Sequence, residues 1–504
     1  MTGPPAQSPT PATAGSPTQT GAAVPVVPPP TGWARLLMQR HPEHRAILAA
    51  FGRQAPPSSG DDPVHWSARV GAQLSDAIAC VLSEEVDAAQ AAIFARRVES
   101  VRHLLDDLKL SHLRVALEAR VVEMLHADPP RALRVRAAAD FYYSQAARIH
   151  HQRRTPARSL EELVGRAMWT PVPGSDRLHH AVLKEANGPA GPLVVNLLRG
   201  TTTVRAVDLR SDPRSFVDAV VARGAVAAVS GGFFLYSEPD IVAPLHRRMP
   251  VGLLRSDGHT LSPPALRRSC LLGGDRPSIR RVGPVGWTVR CGDWSARVTA
   301  CNAPGRCALY NRAHGRRAPR PGLRIAGTQA LGVSDEIDLL GGVLVMDHPP
   351  QLRGAVSWDP PAELACSEAM AGGPMLVGEG PLLDLCAEDF AKSAPPVTFS
   401  QDETYDQNLL PRMAVGLDDH GRLVFAAIEG RDFARAPGFT LAMTADLMRA
   451  LGCVQAMNLD GGSSKRMVVG GRLVDLSTTE VRGMSSSSGP APTRRVVSAL
   501  LLHA

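Results

Sequence analysis

Beyond residue 171, the 504-residue chain runs as short apolar stretches cut off by Gly, Pro or Asp. The runs at 193–198, 202–208, 225–230 and 297–300 are too short for helices and carry strand-type side chains. The pattern therefore predicts a domain of short strands. Its boundary falls between 160 and 178, where Pro156, Pro171 and Pro173 interrupt helical continuity. Ahead of it the periodicity is helical: Phe94, Val98, Val101, Leu105 and Leu108 recur at three and four. After Ser111, an N-cap residue, Leu113, Leu117, Val121 and Met124 do the same. Pro129 and Pro130 end one helix, and 131–151 reads as the next. Residues 1–31 are mostly Pro, Ala, Thr, Gly and Ser, with too little to bury to offset the entropy of ordering, and read as a disordered tail. The expected architecture is α+β: the tail, an all-α domain over 32–168, and a domain with a mixed, mainly antiparallel sheet over 178–504.

Composition narrows the function classes. Hydrophobic residues make up 44 % and charged residues 20 %, ordinary for a globular chain, and no apolar run reaches the roughly 18 residues of a membrane span. The net charge is +7, but lysine occurs only at Lys109, Lys184, Lys392 and Lys465, and the arginines are dispersed, which disfavours a nucleic-acid partner. The first 30 residues lack a basic start followed by an apolar core, so a secretory leader is not expected and the cytoplasm is the expected location. Eight cysteines form no CxxC and no zinc spacing; a bridge such as Cys301 to Cys307 would need an oxidising compartment. The pairs His150-His151 and His179-His180 also lack a metal-ligand spacing.

Local signals agree best between 410 and 476. Residues 413–417 and 423–428 read as a hairpin around Asp418-Asp419-His420-Gly421, ending in Glu429-Gly430-Arg431. Thr440 caps a helix with Leu441, Leu447, Met448 and Leu451 on its apolar positions, and Gly452 stops it. The strand 454–459 then discharges into Asp460-Gly461-Gly462-Ser463-Ser464. Glycines let a backbone approach a ligand and expose N–H groups, serines add hydroxyls, and Asp460 adds a carboxylate for acid/base work or a metal. Alone, this segment also reads as a hairpin turn with solvated side chains. Gly231-Gly232 before Phe233-Phe234, and Gly372-Gly373 before Pro374, repeat the theme of glycines after an apolar run.

In their order along the chain, these segments resemble the phosphodiester glycosidase family, which includes the lysosomal uncovering enzyme and bacterial exopolysaccharide-related proteins. The resemblance covers roughly 190–504 and rests on Ser-Gly-Gly-Phe-Phe (230–234), Pro-Val-Gly-Leu-Leu-Arg-Ser-Asp-Gly (250–258), Gly-Gly-Pro-Met-Leu-Val-Gly-Glu-Gly (372–380), Pro-Arg-Met-Ala-Val-Gly (411–416), Glu-Gly-Arg (429–431) and Asn-Leu-Asp-Gly-Gly-Ser-Ser (458–464). Four positions depart from the family pattern: Ser230 stands for Asn, Met413 for Thr, Glu429 for Asp and Ser463 for a third Gly. A serine hydroxyl cannot replace both donors and the acceptor of an amide.

The resemblance implies a hydrolase acting on the glycosidic bond of a sugar-1-phosphodiester or related glycoconjugate. Asp460 is the first candidate for the carboxylate that activates water or stabilises the oxocarbenium-like carbon, and Glu429 the second. Arg412 and Arg431 are the candidates for phosphate, which guanidinium binds bidentately. Asn458 and Ser464 would hydrogen-bond the ligand, with Gly231, Gly232, Phe233, Gly372, Gly373, Gly461 and Gly462 shaping its seat. A divalent cation, Ca²⁺ or Mg²⁺, on Asp460 fits this donor chemistry, although no spacing diagnostic of a metal is present. The alternative is a noncatalytic protein of the same fold that binds a glycan or nucleotide-sugar. In the hydrolase reading the helical N-terminal domain is expected to serve oligomerisation or partner docking.

Overall fold

The computed structural model describes residues 158–234, 248–274, 276–338, 340–378, 387–389, 409–431, 435–475 and 495–504. Three α-helices are present among them: α1 (Leu160–Gly165), α2 (Phe216–Val221) and α3 (Leu441–Ala450). Twelve strands build the two sheets that carry the candidate site: β1 (Thr170–Pro171), β2 (Leu178–Gly188), β3 (Gly191–Gly200), β4 (Thr203–Asp208), β5 (Ala227–Ser230), β6 (Met375–Val377), β7 (Arg412–Asp418), β8 (Leu423–Ile428), β9 (Cys453–Leu459), β10 (Met467–Val469), β11 (Arg472–Leu473) and β12 (Ser498–His503). The larger sheet has the order β1-β2-β3-β8-β7-β9-β6 and the smaller β11-β10-β5-β12-β4. Every pairing in both is antiparallel.

The seven-stranded sheet is covered on both faces, which is why β7 and β8 read as nearly unbroken apolar runs. Met413, Val415, Leu417, Phe425 and Ala427 point to one side and join Val229, Met467, Leu500 and Leu502 of the smaller sheet. Ala414, Val424, Ala426 and Ile428 point to the other, where Leu441, Ala445, Leu447 and Met448 of α3 and Leu160 and Leu163 of α1 cover them. Fully burying one such leucine is worth about 1.5–3 kcal/mol. The hydroxyl of Thr440 accepts from the Met443 N–H at 3.1 Å and starts α3. Gly452, at φ +83°, leaves the helix in the left-handed region that its position after the C-cap requires. The β7–β8 turn is held by Asp418, whose Oδ1 accepts from the N–H groups of His420 (3.0 Å) and Arg422 (2.8 Å).

Between β5 and β6 the chain builds three further sheets of five, three and six strands around Trp287, Trp358, Leu309 and Leu323.

The α+β expectation is corrected. Strands take 48 % of the structure and helix 10 %, so the described part is mainly β. Only 441–450 combines helical periodicity with a cap and a glycine stop over a useful length; elsewhere glycine and proline arrive too soon for helices and leave strands. No all-α N-terminal domain is present among the described residues. Most of 32–168 lies outside them, as does the tail 1–31. The described end of that stretch holds α1, which packs into the sheet's own core through Leu160 and Leu163. Among the described residues no helix is long and apolar enough to cross a membrane.

Cys270, Cys291, Cys301, Cys307, Cys366 and Cys453 are all free thiols, so no Cys301–Cys307 bridge is formed. Burial pushes the Cys453 thiol up to about 12 and that of Cys307 up to about 11.

Candidate active site

The C-terminal end of β9 lies at the centre of the site, and three glycine pairs close around it. The Asn458 carbonyl accepts from Gly373 N at 2.7 Å, and Asn458 Nδ2 donates to the Gly373 carbonyl at 3.2 Å. A Cβ on Gly372 would lie 2.3 Å from the Asn458 carbonyl oxygen, so only glycine allows this approach. Gly232 is equally close to the Ala371 carbonyl, where a Cβ would sit at 2.1 Å. Two residues after Asn458, Asp460 N donates to the Gly231 carbonyl at 3.2 Å. Gly462 N donates to the Pro411 carbonyl at 2.8 Å, and the Gly461 position would bring a Cβ within 2.5 Å of the same oxygen. The β9 tip is thereby fastened to the start of β7, and the loops 231–232 and 372–373 to β9.

This fastening brings charged groups to one end of the seven-stranded sheet. Arg412, fully buried, begins β7, and its Nε donates to the Phe439 carbonyl at 3.0 Å, just ahead of α3. Glu429 and Arg431, both buried, follow β8; Arg431 takes φ +58°. Its Nη1 and Nη2 lie 3.6 and 3.8 Å from where a Cβ on Gly462 would be, so this guanidinium adjoins the glycine turn that follows Asp460. Asp460 itself is half-buried, unlike the other charged members of the group. Ser464 is buried in the 3-10 turn after it, its N–H donating to the Gly461 carbonyl at 3.0 Å. Asn458 is buried, and its Oδ1 has no hydrogen-bond partner among the described residues.

Phe233 is also buried, with the Arg268 guanidinium 5.3 Å above its ring centroid, so its ring serves packing beside the site. All thirteen residues singled out from the sequence therefore lie on the loops and strand ends that meet around the β9 tip. Among the described residues no group of three or more His, Cys, Asp or Glu side chains is placed to hold a metal.

Three supporting features lie outside the residues singled out from the sequence. Arg268 Nε donates to the Gly372 carbonyl at 2.9 Å and so anchors one glycine pair. The buried Glu388 carboxylate accepts from Ser269 N (2.9 Å), Ser269 Oγ (2.6 Å) and Met375 N (2.8 Å), tying the segment after Pro374 to its neighbour. Lys465 Nζ meets Asp475 Oδ2 at 2.5 Å with both side chains fully buried. The one available signal was Lys465 itself, a rare lysine in an arginine-rich chain directly after the glycine-serine turn.

The glycine-lined strand ends of this mainly β body gather two guanidiniums, of Arg412 and Arg431, and two carboxylates, of Glu429 and Asp460. Residues 340–503 match the family model for phosphodiester glycosidase, so the resemblance read from the motifs holds for the C-terminal third of the chain. The segments 372–380, 411–416, 429–431 and 458–464 lie inside that match, while 230–234 and 250–258 lie outside it. Among solved structures, the chain is similar to a hypothetical protein from Synechocystis at 20 % identity and a TM-score of 0.42, over 66 % of this chain and 64 % of that one. It is similar to a protein of Burkholderia pseudomallei K96243 described as exported, at 20 % identity and a TM-score of 0.41, over 63 % and 75 % of the two chains. It also aligns with the catalytic domain of zebrafish N-acetylglucosamine-1-phosphodiester alpha-N-acetylglucosaminidase, described as auto-inhibited by its pro-peptide, at 15 % identity and a TM-score of 0.35, over 69 % and 94 %. No curated protein sequence matches the chain.

Proposed function

We propose that this protein hydrolyses the glycosidic bond of a sugar-1-phosphodiester or a related phosphate-linked glycoconjugate. The observation that carries the reading is the half-buried Asp460 at the β9 tip, beside a glycine turn that adjoins the Arg431 guanidinium. In such a substrate the leaving group is a phosphodiester oxygen, already a stable anion. Strong general-acid help is therefore less important than cationic donors for the phosphate and a carboxylate near the anomeric carbon. Arg412 and Arg431 take the first role and Asp460 the second. Glu429 is the supporting carboxylate, with Asn458 and Ser464 as hydrogen-bonding groups.

Two of the four departures from the family pattern support retained activity, because they fall on packing positions. Ser230 is buried and its hydroxyl accepts from Arg466 N at 3.0 Å; Met413 is part of the core between the two sheets. Glu429 is the departure that touches the chemistry, and it is the reason to keep a noncatalytic glycan-binding role as the second reading.

The test is release of sugar from a panel of sugar-1-phosphodiesters, with and without Ca²⁺ or Mg²⁺, by wild type beside Asp460→Asn. Release that falls at least 100-fold in the variant supports the hydrolase. No release by wild type, with ligand-induced thermal stabilisation intact, would establish the binding role instead.

A further inference from the structure

A cleft of about 570 Å³ lies at the other end of the same sheet and is lined by Trp169, Arg177, His179, Arg199, Thr201 and Arg422. Strand register explains the convergence. Arg199 pairs with His179 on one side and Val424 on the other, and Arg177 and Arg422 each lie two residues before those partners. Thr201 is two residues after Arg199, and Thr170 pairs with His180, which sets Trp169 level with Ala181. With side chains alternating along strands, all six residues fall on one face, the face that α3 covers. The cleft opens just past the C-terminal end of α3: Arg199 Nη2 donates to the carbonyl of Leu451, the helix C-cap, at 2.8 Å. Seven residues of extended chain separate Arg422 from Glu429, roughly 23 Å, so the cleft is distinct from the candidate active site.

Its charge is not balanced from within. Arg422 is paired with Asp418, Nε to Oδ2 at 2.7 Å, and that carboxylate is already engaged in its own turn. Neither Arg177 nor Arg199 has a carboxylate partner among the described residues. The Arg199 guanidinium carbon lies over the Trp169 ring, 4.6 Å from the centroid. A cation–aromatic contact of this kind leaves guanidinium N–H groups available for hydrogen bonds, and Arg199 Nε is buried without a partner among the described residues. Burial, and after it the neighbouring Arg422 charge, pull the Arg199 guanidinium below the ordinary arginine range. Three guanidiniums around one carboxylate leave two positive charges facing a cleft of small-ligand size.

We infer that this cleft is a binding site for a phosphate dianion, free or as a phosphomonoester, held by the guanidiniums of Arg177, Arg199 and Arg422. A dianion matches the unbalanced charge, and a tetrahedral oxyanion can accept from donors that arrive from three strands. The inference does not depend on the reading of the active site.

Isothermal titration of the full chain with inorganic phosphate, glucose 6-phosphate and acetate at constant ionic strength tests it. Saturable phosphate binding is expected, weakened about tenfold or more by Arg177→Gln, whose side chain is exposed and has no ion-pair partner among the described residues, and similarly by Arg199→Gln. Binding of both phosphates means that the free ion suffices, and binding of glucose 6-phosphate alone identifies an esterified ligand; both outcomes support the site. Acetate binding as tight as phosphate, no saturable binding of either phosphate, or phosphate binding unchanged in both variants would overturn it. Circular dichroism of the Arg199→Gln protein checks its fold, and Arg177→Gln carries the test if that variant is unfolded.

Discussion

Gly461→Ala is the sharpest perturbation of the site, because the obstacle is backbone and cannot rotate away. The added Cβ would lie 2.5 Å from the Pro411 carbonyl oxygen, where ordinary contact begins near 3.4 Å. The β9 tip and the start of β7 must then part by about 0.9 Å, and the 2.8 Å bond from Gly462 N to that same oxygen is lost. Overpacking of this kind costs about 1–3 kcal/mol and the lost bond about 0.5–1.5 kcal/mol, for a total of roughly 2–4 kcal/mol. The melting midpoint should fall by roughly 4–12 °C. Since misplacing a catalytic group by about 1 Å can cost roughly 100-fold, turnover should fall by at least that factor.

Gly462→Ala is the control. Its Cβ meets only the Arg431 guanidinium at ordinary distances of 3.6 and 3.8 Å, and the penalty is that of φ +56° for a residue with a side chain, about 1–2 kcal/mol. Differential scanning calorimetry and amide exchange at 411–412 and 460–462 measure both variants. A Gly461→Ala protein that melts within a degree of wild type, with unchanged exchange there, would refute the reasoning.

Two further outcomes follow from charged groups. Lys465→Met leaves the Asp475 carboxylate buried without its cation and should destabilise by about 3–5 kcal/mol in chemical denaturation, whereas Lys465→Met combined with Asp475→Leu should recover most of that loss; a single variant as stable as wild type would contradict this. Asp212 accepts from the Arg214 side chain and backbone N–H and from Arg223, which hold its carboxyl well below the usual carboxylate range. A depressed folded-state value means that its contribution is present above the unfolded carboxylate value, near pH 4, and is lost as pH falls through the folded one. Asp212→Asn should therefore lower the melting midpoint at pH 7 and shrink the difference from wild type as the pH is taken below about 4.

Much of the site could be read from the sequence because its markers are local. Gly-Gly after an apolar run signals a close approach whatever lies opposite, and the structure supplies the opposing atoms: Pro411 for Gly461, Asn458 for Gly372 and Ala371 for Gly232. Helix α3 was legible for the same reason, since Thr440, the leucine spacing and Gly452 lie within one short window. Arg268, Glu388 and the Lys465–Asp475 pair were not, because each acts on a segment whose proximity depends on how strands pair. The Glu388 carboxylate reaches Ser269 across 119 residues, a relation that no periodicity encodes. The fold class of the described chain is mainly β rather than α+β because the helical spacing that suggested a balance lies ahead of residue 158, outside the described residues.

The place of β12 bears on how the chain reaches this state. Residues 498–503 fill the gap between β4 and β5, whose own residues lie at 203–208 and 227–230. Until that late segment has left the ribosome, β4 and β5 each present an open row of amide and carbonyl groups, and β5 leads straight into the Gly231-Gly232 turn. Such edges are templates for pairing with other chains, and closing a sheet over so long a span is intrinsically slow. Nascent chains stalled short of residue 498 should therefore be captured by chaperones or aggregate, and the glycine turn that carries Gly231 should be among the last parts of the molecule to become protected.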